Sequence, residues 1–163
     1  MKVLIIQTGG TIDKDYPKTN NGYAFEIDEP AVSRTLNRVF PRFEYKVISL
    51  LRKDSLDITE EDRHLIKETI ESSDASKILV THGSDTMLKT GCNLGIIKGK
   101  AIVLTGSYRP ERFTGSDADF NIGTAVGALN VLEEGTFIAM NGRILDPSNL
   151  DKDEYSGVYT KQD

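Results

Sequence analysis

Short apolar runs alternate with amphipathic segments along most of the chain. The runs are rich in valine, isoleucine and leucine, which is typical of strands that are buried on both faces of a parallel sheet. The predicted strands cover residues 2–7, 44–50, 77–81, 101–105 and 136–140. Between them, apolar residues recur at helical spacing. The predicted helices cover residues 29–39, 85–97 and 117–133. A further helix is predicted after Thr59, which can cap its N-terminus.

This alternation of strands and helices predicts an α/β fold. We expect a doubly wound, mainly parallel sheet of about five strands with helices on both faces, a three-layer arrangement of the flavodoxin or Rossmann type. In the flavodoxin strand order 2-1-3-4-5, the first and third strands flank the point where ligands bind. The chain has 163 residues, and this length suits one domain over residues 1–163 rather than two.

Small polar residues follow the carboxyl end of every predicted strand. Thr8-Gly9-Gly10-Thr11 follows the first strand, and Thr81-His82-Gly83-Ser84-Asp85-Thr86 lies at the end of the third. Because the carboxyl ends of parallel strands meet at one edge of a sheet, the two strings are expected to face each other there. The sequence therefore predicts a ligand site at this edge, with hydroxyl groups on both of its walls.

Two segments carry no clear helix or strand pattern. The connection over residues 8–27 is long for a compact domain, and loops of this length usually act as lids or binding loops. Tyr23, near its far end, is placed to cover a pocket, although packing within the loop itself is the alternative. The polar tail from Asp146 to Asp163 is expected to be irregular.

Composition narrows the classes of partner. The net charge is −5 and no basic patch stands out, which disfavours nucleic-acid binding. No apolar run approaches the ~20 residues that a membrane-spanning helix needs, and the N-terminus lacks a signal-peptide pattern. Cys92 is the single cysteine, which fits a reducing cytoplasm and a packing role. We expect a cytoplasmic protein without nucleic-acid or membrane partners.

The glycine pair Gly9-Gly10 allows two interpretations. A phosphate cradle is one, but the spacing of the dinucleotide and P-loop motifs is absent. The other is a hydroxyl nucleophile beside an oxyanion hole of backbone amides, and a threonine in this role needs a base.

The candidates for this base are few. His82 is expected to be a packed, hydrogen-bonded histidine rather than a base, and His64 is expected to be exposed to solvent. Tyr23, Asp85 and several lysines remain as bases, and no histidine or cysteine pair has metal-ligand spacing.

Taken together, the two strings resemble the signatures of bacterial-type L-asparaginases. Thr8-Gly9-Gly10-Thr11-Ile12 resembles the first family signature and the string from Thr81 to Met87 the second. Asp54-Ser55-Leu56-Asp57 resembles the substrate-binding turn of the family. Further matches follow in the expected order, at Arg109-Pro110, Asp117, Phe120-Asn121, and Met140-Asn141 through Leu145-Asp146.

The resemblance implies an amidohydrolase that splits L-asparagine into aspartate and ammonia without a metal or cofactor. It assigns Thr11 as the nucleophile and Tyr23 as its partner from the lid. Ser84 falls where the family usually has a second catalytic threonine, and Lys152 falls on the lysine that pairs with it. Asp85 completes the implied catalytic group.

The same resemblance implies how an amino-acid substrate would be held. Ser55 would bind the α-carboxylate and Asp85 the α-ammonium, because a zwitterion needs donors at one end and an acceptor at the other. The implied preference is asparagine, with glutamine left open. The implied substrate-binding residues are Gly10, Ser55, Leu56, Gly83, Ser84 and Asp85.

Two departures from the family pattern shape the remaining expectations. Ser84 keeps the hydroxyl but lacks the methyl group that restricts a threonine rotamer. The family's C-terminal domain, which completes a neighbour's site, is expected to be absent, so we expect a homodimer or homotetramer with sites near a subunit interface. A non-catalytic amino-acid-binding or regulatory module and a flavodoxin-like nucleotide-binding domain remain as alternatives.

Overall fold

The computed structural model of the chain describes residues 1–18, 24–153 and 156–161. Over these residues the helices are α1 (Ala31–Val39), α2 (Glu60–Ser72), α3 (Met87–Leu94) and α4 (Ala118–Val131). The strands are β1 (Lys2–Gly9), β2 (Lys14–Asp15), β3 (Glu26–Ile27), β4 (Glu44–Lys53), β5 (Lys77–Thr81), β6 (Ala101–Thr105), β7 (Gly135–Met140), β8 (Arg143–Leu145), β9 (Leu150–Lys152) and β10 (Tyr159–Lys161). Short 3-10 turns cover Thr11–Asp13, Ser55–Asp57 and Pro147–Asn149.

The central sheet has the strand order β4-β1-β5-β6-β7-β8 within the described residues. The first five of these strands run parallel, and β8 pairs antiparallel with β7. The predicted doubly wound fold and the predicted order of the parallel strands are confirmed. β8 was not predicted, because this strand is short and follows a tight turn at Asn141 and Gly142, which have φ of 54° and 74°.

The register of the sheet aligns the carboxyl ends of its parallel strands. Gln7 lies opposite Thr81, and Thr81 lies opposite Thr105. The chain therefore leaves β1, β5 and β6 at one edge of the sheet. This alignment confirms that the two polar strings face each other across neighbouring strands.

Helices cover both faces of the sheet, as predicted. Ile66 and Leu94 of α2 and α3 pack into one buried apolar cluster, while Leu36 and Leu129 of α1 and α4 pack into the other. The start of α2 is confirmed, because Thr59 forms a capping box with Asp62. Among the helices described, none is long and apolar enough to cross a membrane.

Several predicted boundaries differ from the observed ones. β1 extends to Gly9 and β4 to Lys53, so polar residues assigned to loops lie inside strands. β4 is not buried on both faces, because it lies at the edge of the sheet and has one neighbouring strand. α3 is shorter than predicted, since Gly95 follows it with a φ of 57°.

The prediction of an irregular tail after Asp146 is wrong. β9 and β10 form an antiparallel pair there, anchored by the buried side chains of Leu150 and Tyr159. The two apolar anchors lie far apart among polar residues, so no short-range pattern marks them. The connection over residues 8–27 is also partly ordered by the pairing of β2 with β3. Tyr23 lies outside the described residues.

Candidate functional site

Two glycines in contact define the centre of the candidate site. Gly10 follows β1 with a φ of 87°, and a Cβ atom on it would lie 2.3 Å from the Cα and N atoms of Gly83. A Cβ atom on Gly83 would lie 2.6 Å from the Cβ and Oγ atoms of Ser55. Only glycine permits this approach of two backbone segments to each other and to the Ser55 side chain. Thr11 and Ser84, the next residues in the chain, therefore lie beside the contact.

Thr11 begins the 3-10 turn that follows this contact. The Gly10 N–H donates to the carbonyl oxygen of Lys53 at 2.9 Å, which fastens the turn to β4. The Thr11 carbonyl accepts the backbone N–H of Lys14. Thr11 itself is half-buried at the edge of the sheet. Its hydroxyl is therefore carried on a segment whose backbone is fixed on both sides.

Asp13, in the same turn, has a carboxylate that is fully buried. Its Oδ1 atom accepts the N–H of Ala31 at 2.7 Å, at the start of α1. Its Oδ2 atom has no hydrogen-bond partner among the residues that the structure describes. Burial raises the pKa of Asp13 to about 7. The turn that carries Thr11 is thus tied to α1 through a group that titrates near neutral pH.

The turn over Ser55–Asp57 brings a second hydroxyl to the site. Ser55 is 1% exposed, whereas Leu56 is 72% exposed at the rim. Asp54 caps the turn by accepting the Leu56 N–H at 3.2 Å, and Lys14 donates to the other carboxylate oxygen of Asp54 at 2.9 Å. This hydrogen bond from Lys14 lowers the pKa of Asp54. The ion pair joins the segment after Thr11 to the turn that holds Ser55.

A carboxylate and an ammonium group lie on the opposite wall. The Lys152 Nζ atom donates to the Ser84 carbonyl oxygen and to Oδ1 of Asp85, both at 3.0 Å. Tyr159 Oη donates to the same Ser84 oxygen at 3.0 Å. The Lys152 side chain is 18% exposed and the Asp85 side chain 56%. Lys152 thus holds the Ser84 backbone, and one carboxylate oxygen of Asp85 stays open to solvent.

His82 is a structural residue, as expected from its place at the end of β5. Its Nδ1 atom lies 2.8 Å from the Gly83 carbonyl oxygen and must donate there, because a carbonyl oxygen only accepts. Its Nε2 atom then accepts from the Thr90 hydroxyl at 2.9 Å, and Arg63 donates to that hydroxyl at 3.2 Å. Burial lowers the pKa of His82 to about 4. His64, in contrast, is exposed and paired with a glutamate.

Asp117 and Asn121 hold the loops beyond β6 and β7. The Asp117 carboxylate accepts the backbone N–H groups of Tyr108 and Arg109 at 3.1 Å. Asn121 donates to the Gly106 carbonyl at 3.0 Å, and its Oδ1 accepts a backbone N–H from the turn after β7. These hydrogen bonds hold the loops at this edge of the sheet in place.

The structure brings most of the predicted site residues to one place. The residues that share the edge of the sheet around the glycine contact are Gly10, Thr11, Ser55, Leu56, Gly83, Ser84, Asp85 and Lys152. Asp13, Lys14 and Tyr159 were not predicted as parts of the site. Lys14 lies two residues after the first signature and could have been noticed there. Tyr159 gives no local signal, because its place depends on the register of β9 with β10.

In the part of the chain that the structure describes, no three His, Cys, Asp or Glu side chains are grouped so as to hold a metal ion.

The structure is an α/β protein with a candidate small-molecule site at the edge of the sheet where the carboxyl ends of β1 and β5 meet. The family model for the N-terminal domain of asparaginases matches residues 2–160, and the chain belongs to this family. The membership favours the asparaginase-like hypothesis over the flavodoxin-like one.

Named relatives and solved structures agree with this family. The L-asparaginase 2-3 of Saccharomyces cerevisiae is 28% identical over 99% of this chain and 51% of its own length. The thermostable L-asparaginase of Thermococcus kodakarensis is 26% identical, with a TM-score of 0.86 over 99% of this chain and 51% of its own. A probable cytoplasmic L-asparaginase of Campylobacter jejuni is 26% identical, with a TM-score of 0.75 over 93% of this chain and 48% of its own. The chain spans about half the length of these relatives.

Proposed function

We propose that this chain is an amidohydrolase that converts L-asparagine into L-aspartate and ammonia. The observation that carries the proposal is the contact of Gly10 with Gly83 and of Gly83 with Ser55. This contact gathers a threonine hydroxyl, a serine hydroxyl and a carboxylate–ammonium pair around one point at the sheet edge. The names of the relatives supply the substrate class. Glutamine is the second substrate to test.

In the proposed mechanism, Thr11 is the nucleophile. Its Oγ atom attacks the side-chain amide carbon, the hydroxyl proton passes to a base, and the amide nitrogen takes up a proton and leaves as ammonia. The resulting ester is hydrolysed by water, which restores the Thr11 hydroxyl and releases aspartate. Backbone amides near Gly83 and Ser84 are the proposed donors to the oxyanion. Tyr23 is the proposed partner of Thr11. The reaction as proposed needs no metal or cofactor.

Ser84, Lys152 and Asp85 form the second proposed catalytic group. Within the described residues, Lys152 hydrogen-bonds to the Ser84 carbonyl rather than to its hydroxyl. In this arrangement Lys152 fixes the backbone of Ser84. In the proposed reaction it also exchanges a proton with the serine side chain. We assign Lys152 and Ser84 as a pair that assists proton transfer during turnover.

The proposed substrate pose follows from the charges. Lys152 occupies Oδ1 of Asp85, which leaves Oδ2 to accept from the substrate α-ammonium. The Ser55 hydroxyl and adjacent backbone amides would donate to the α-carboxylate. Gly10 and Gly83 allow the substrate to approach the backbone, and Leu56 would contribute apolar contact at the rim. This pose directs the side-chain amide towards Thr11.

The exposure of the site supports an assembly of more than one chain. The Asp85 side chain is 56% exposed and Leu56 72% exposed, so water would screen any charge that develops in the reaction. We therefore propose a homodimer or homotetramer in which a neighbouring subunit helps to cover the site. We also propose that residues 1–163 form a single domain. The similarity to a probable cytoplasmic L-asparaginase supports a cytoplasmic location.

An ammonia-release assay tests the proposal. The purified protein should release ammonia from L-asparagine, and calorimetry should show binding of the product aspartate. Binding of aspartate without ammonia release would favour the non-catalytic amino-acid-binding module. Absence of both would contradict the proposed function.

A further inference from the structure

The hairpin of β9 and β10 delivers two hydrogen-bond donors to one carbonyl group. Lys152 and Tyr159 lie directly opposite each other in the register of the pair. Both side chains donate to the carbonyl oxygen of Ser84 at 3.0 Å. A carbonyl oxygen has two lone pairs, so the two donors together satisfy this acceptor.

The two donors differ in how firmly they are held. Tyr159 is 1% exposed, and its ring belongs to the buried apolar cluster that contains Leu145 and Leu150. Its own backbone carbonyl accepts from Arg143 at 3.1 Å. Lys152 is a long side chain that also bonds to the half-exposed carboxylate of Asp85. Tyr159 is therefore the rigid donor of the two, because the core fixes its ring.

The Tyr159 hydroxyl is suited to act only as a donor here. Burial raises its pKa, and the nearby Tyr108 and Asp85 raise it further. The hydroxyl thus stays protonated and donates its hydrogen bond to the Ser84 carbonyl oxygen. That carbonyl and the Asp85 N–H belong to one planar peptide group. The side chains of Ser84 and Asp85 leave the chain on either side of this group.

We propose that Tyr159 is a positioning residue for the amidohydrolase reaction. Its hydroxyl fixes the Ser84–Asp85 peptide group, so that the Ser84 hydroxyl and the Asp85 carboxylate keep their places when Lys152 shifts to handle a proton. Tyr159 acts through the peptide group and does not contact the substrate. This inference rests on the proposed function.

Tyr159→Phe and Tyr108→Phe form a matched pair of variants for the test. Each removes one phenolic hydroxyl that donates to a backbone carbonyl near the hairpin. Tyr108 donates to Gly157 at 2.8 Å, whereas Tyr159 donates to Ser84. We expect kcat for asparagine to fall about tenfold in Tyr159→Phe with KM changed by less than about twofold, since one hydrogen bond is lost and the substrate contacts remain. In Tyr108→Phe both constants should stay near wild type.

The amide signal of Asp85 in NMR spectra provides a readout that does not depend on activity. Loss of a donor to the Ser84 carbonyl should shift this signal and speed its hydrogen exchange in Tyr159→Phe, but not in Tyr108→Phe. If wild type is active and Tyr159→Phe keeps its kcat, or if the Asp85 amide is unchanged, the positioning role is overturned while the proposed function stands. If wild type releases no ammonia, the proposed function is overturned, and the positioning role with it.

Discussion

At the scale of single residues, the proposed chemistry depends most on how Ser84, Asp85 and Lys152 share their hydrogen bonds. Lys152 donates hydrogen bonds to two consecutive residues, at the carbonyl oxygen of Ser84 and at the carboxylate of Asp85. Ser84 is half-buried, and its hydroxyl lacks the methyl group that would restrict its rotamer. In the proposed reaction, we expect Lys152 to select the productive orientation of this hydroxyl.

Lys152 and Ser84 should therefore behave as one unit in kinetics. We expect Lys152→Met and Ser84→Ala each to lower kcat by roughly 10²–10⁴, the range typical of general-base assistance. The double variant should be little worse than the worse single one, because either change alone removes the shared step. Steady-state kinetics on the three variants checks this. Losses that simply multiply would show that the two residues act separately.

Asp13 and His82 should impose opposite pH dependences on stability. The pKa of Asp13 rises from 3.8 to about 7 on folding, so the folded state keeps a proton that the unfolded state loses, and stability falls as pH rises through this window. The pKa of His82 falls from 6.5 to about 4, so stability rises with pH between these values. The two effects oppose each other between about pH 4 and 6.5.

Asp13→Asn should separate these two effects. The variant keeps only the His82 contribution, so its free energy of unfolding relative to wild type should increase from pH 4.5 to 7, with a slope of up to about 1.4 kcal/mol per pH unit. Urea unfolding across this range provides the measurement. A difference between the two proteins that stays constant with pH would mean that Asp13 keeps an ordinary carboxyl pKa.

Residues within the two signatures could be predicted, whereas those that support them could not. Gly10 and Gly83 lie in strings that directly follow strands, so sequence placed them at one edge. Asp13 looked like an ordinary loop carboxylate, because its burial depends on the packing of α1 against the turn. Tyr159 is far from Ser84 in sequence, and only the tertiary fold brings them together.

At the scale of elements, an aromatic cluster holds the two described segments of the connection after β1, one before and one after residues 19–23. We use this name for Tyr16, Phe25 and Phe113, whose ring centroids lie 5.1–5.8 Å apart. Asp15 pairs with Arg112 at 2.9 Å beside them. The arms before and after the undescribed residues 19–23 are thereby held against the loop that contains Phe113.

Phe113→Ala should weaken substrate binding more than chemistry. Loss of the ring frees the two chain segments that Phe113 holds next to Thr11. We therefore expect KM for asparagine to rise about tenfold, with a smaller change in kcat. Aromatic contacts of this kind contribute about 1 kcal/mol beyond the burial of their surface. Phe40→Ala is the control, since Phe40 is 82% exposed and lies at the end of α1. Equal KM values in the two variants would contradict a role for the aromatic cluster in the site.

The positions of the parallel strands could be predicted from the sequence, and their order followed from the expected flavodoxin type of fold, but the shortest pairings could not be predicted. Four of the five parallel strands carry continuous apolar runs that mark them clearly, whereas polar residues interrupt the run of β4. The pairs β2–β3 and β9–β10 have two or three residues per strand, and such lengths carry no periodicity. These two pairs form only because tertiary contacts bring the ends of their connecting loops together.

At the scale of the whole molecule, the exposed wall of the site suggests that a neighbouring subunit covers it and excludes water. We expect a two-fold dimer as the base unit, because two-fold pairing is the commonest form of soluble homo-oligomer. Light scattering over a dilution series should show a dimer whose specific activity falls as it dissociates. A monomer that stays fully active at low concentration would refute a shared site.

Thr11 is the proposed nucleophile of an asparagine amidohydrolase, and a substitution at this position gives the sharpest test of that role. Thr11→Val keeps the shape of the side chain and removes the hydroxyl, while Thr11→Ser keeps the hydroxyl. We expect ammonia release from asparagine to fall by several orders of magnitude in Thr11→Val, with folding intact by circular dichroism, and to survive in part in Thr11→Ser. A Thr11→Val variant that turns over within about tenfold of wild type would contradict the assignment, because loss of a nucleophile costs far more than this.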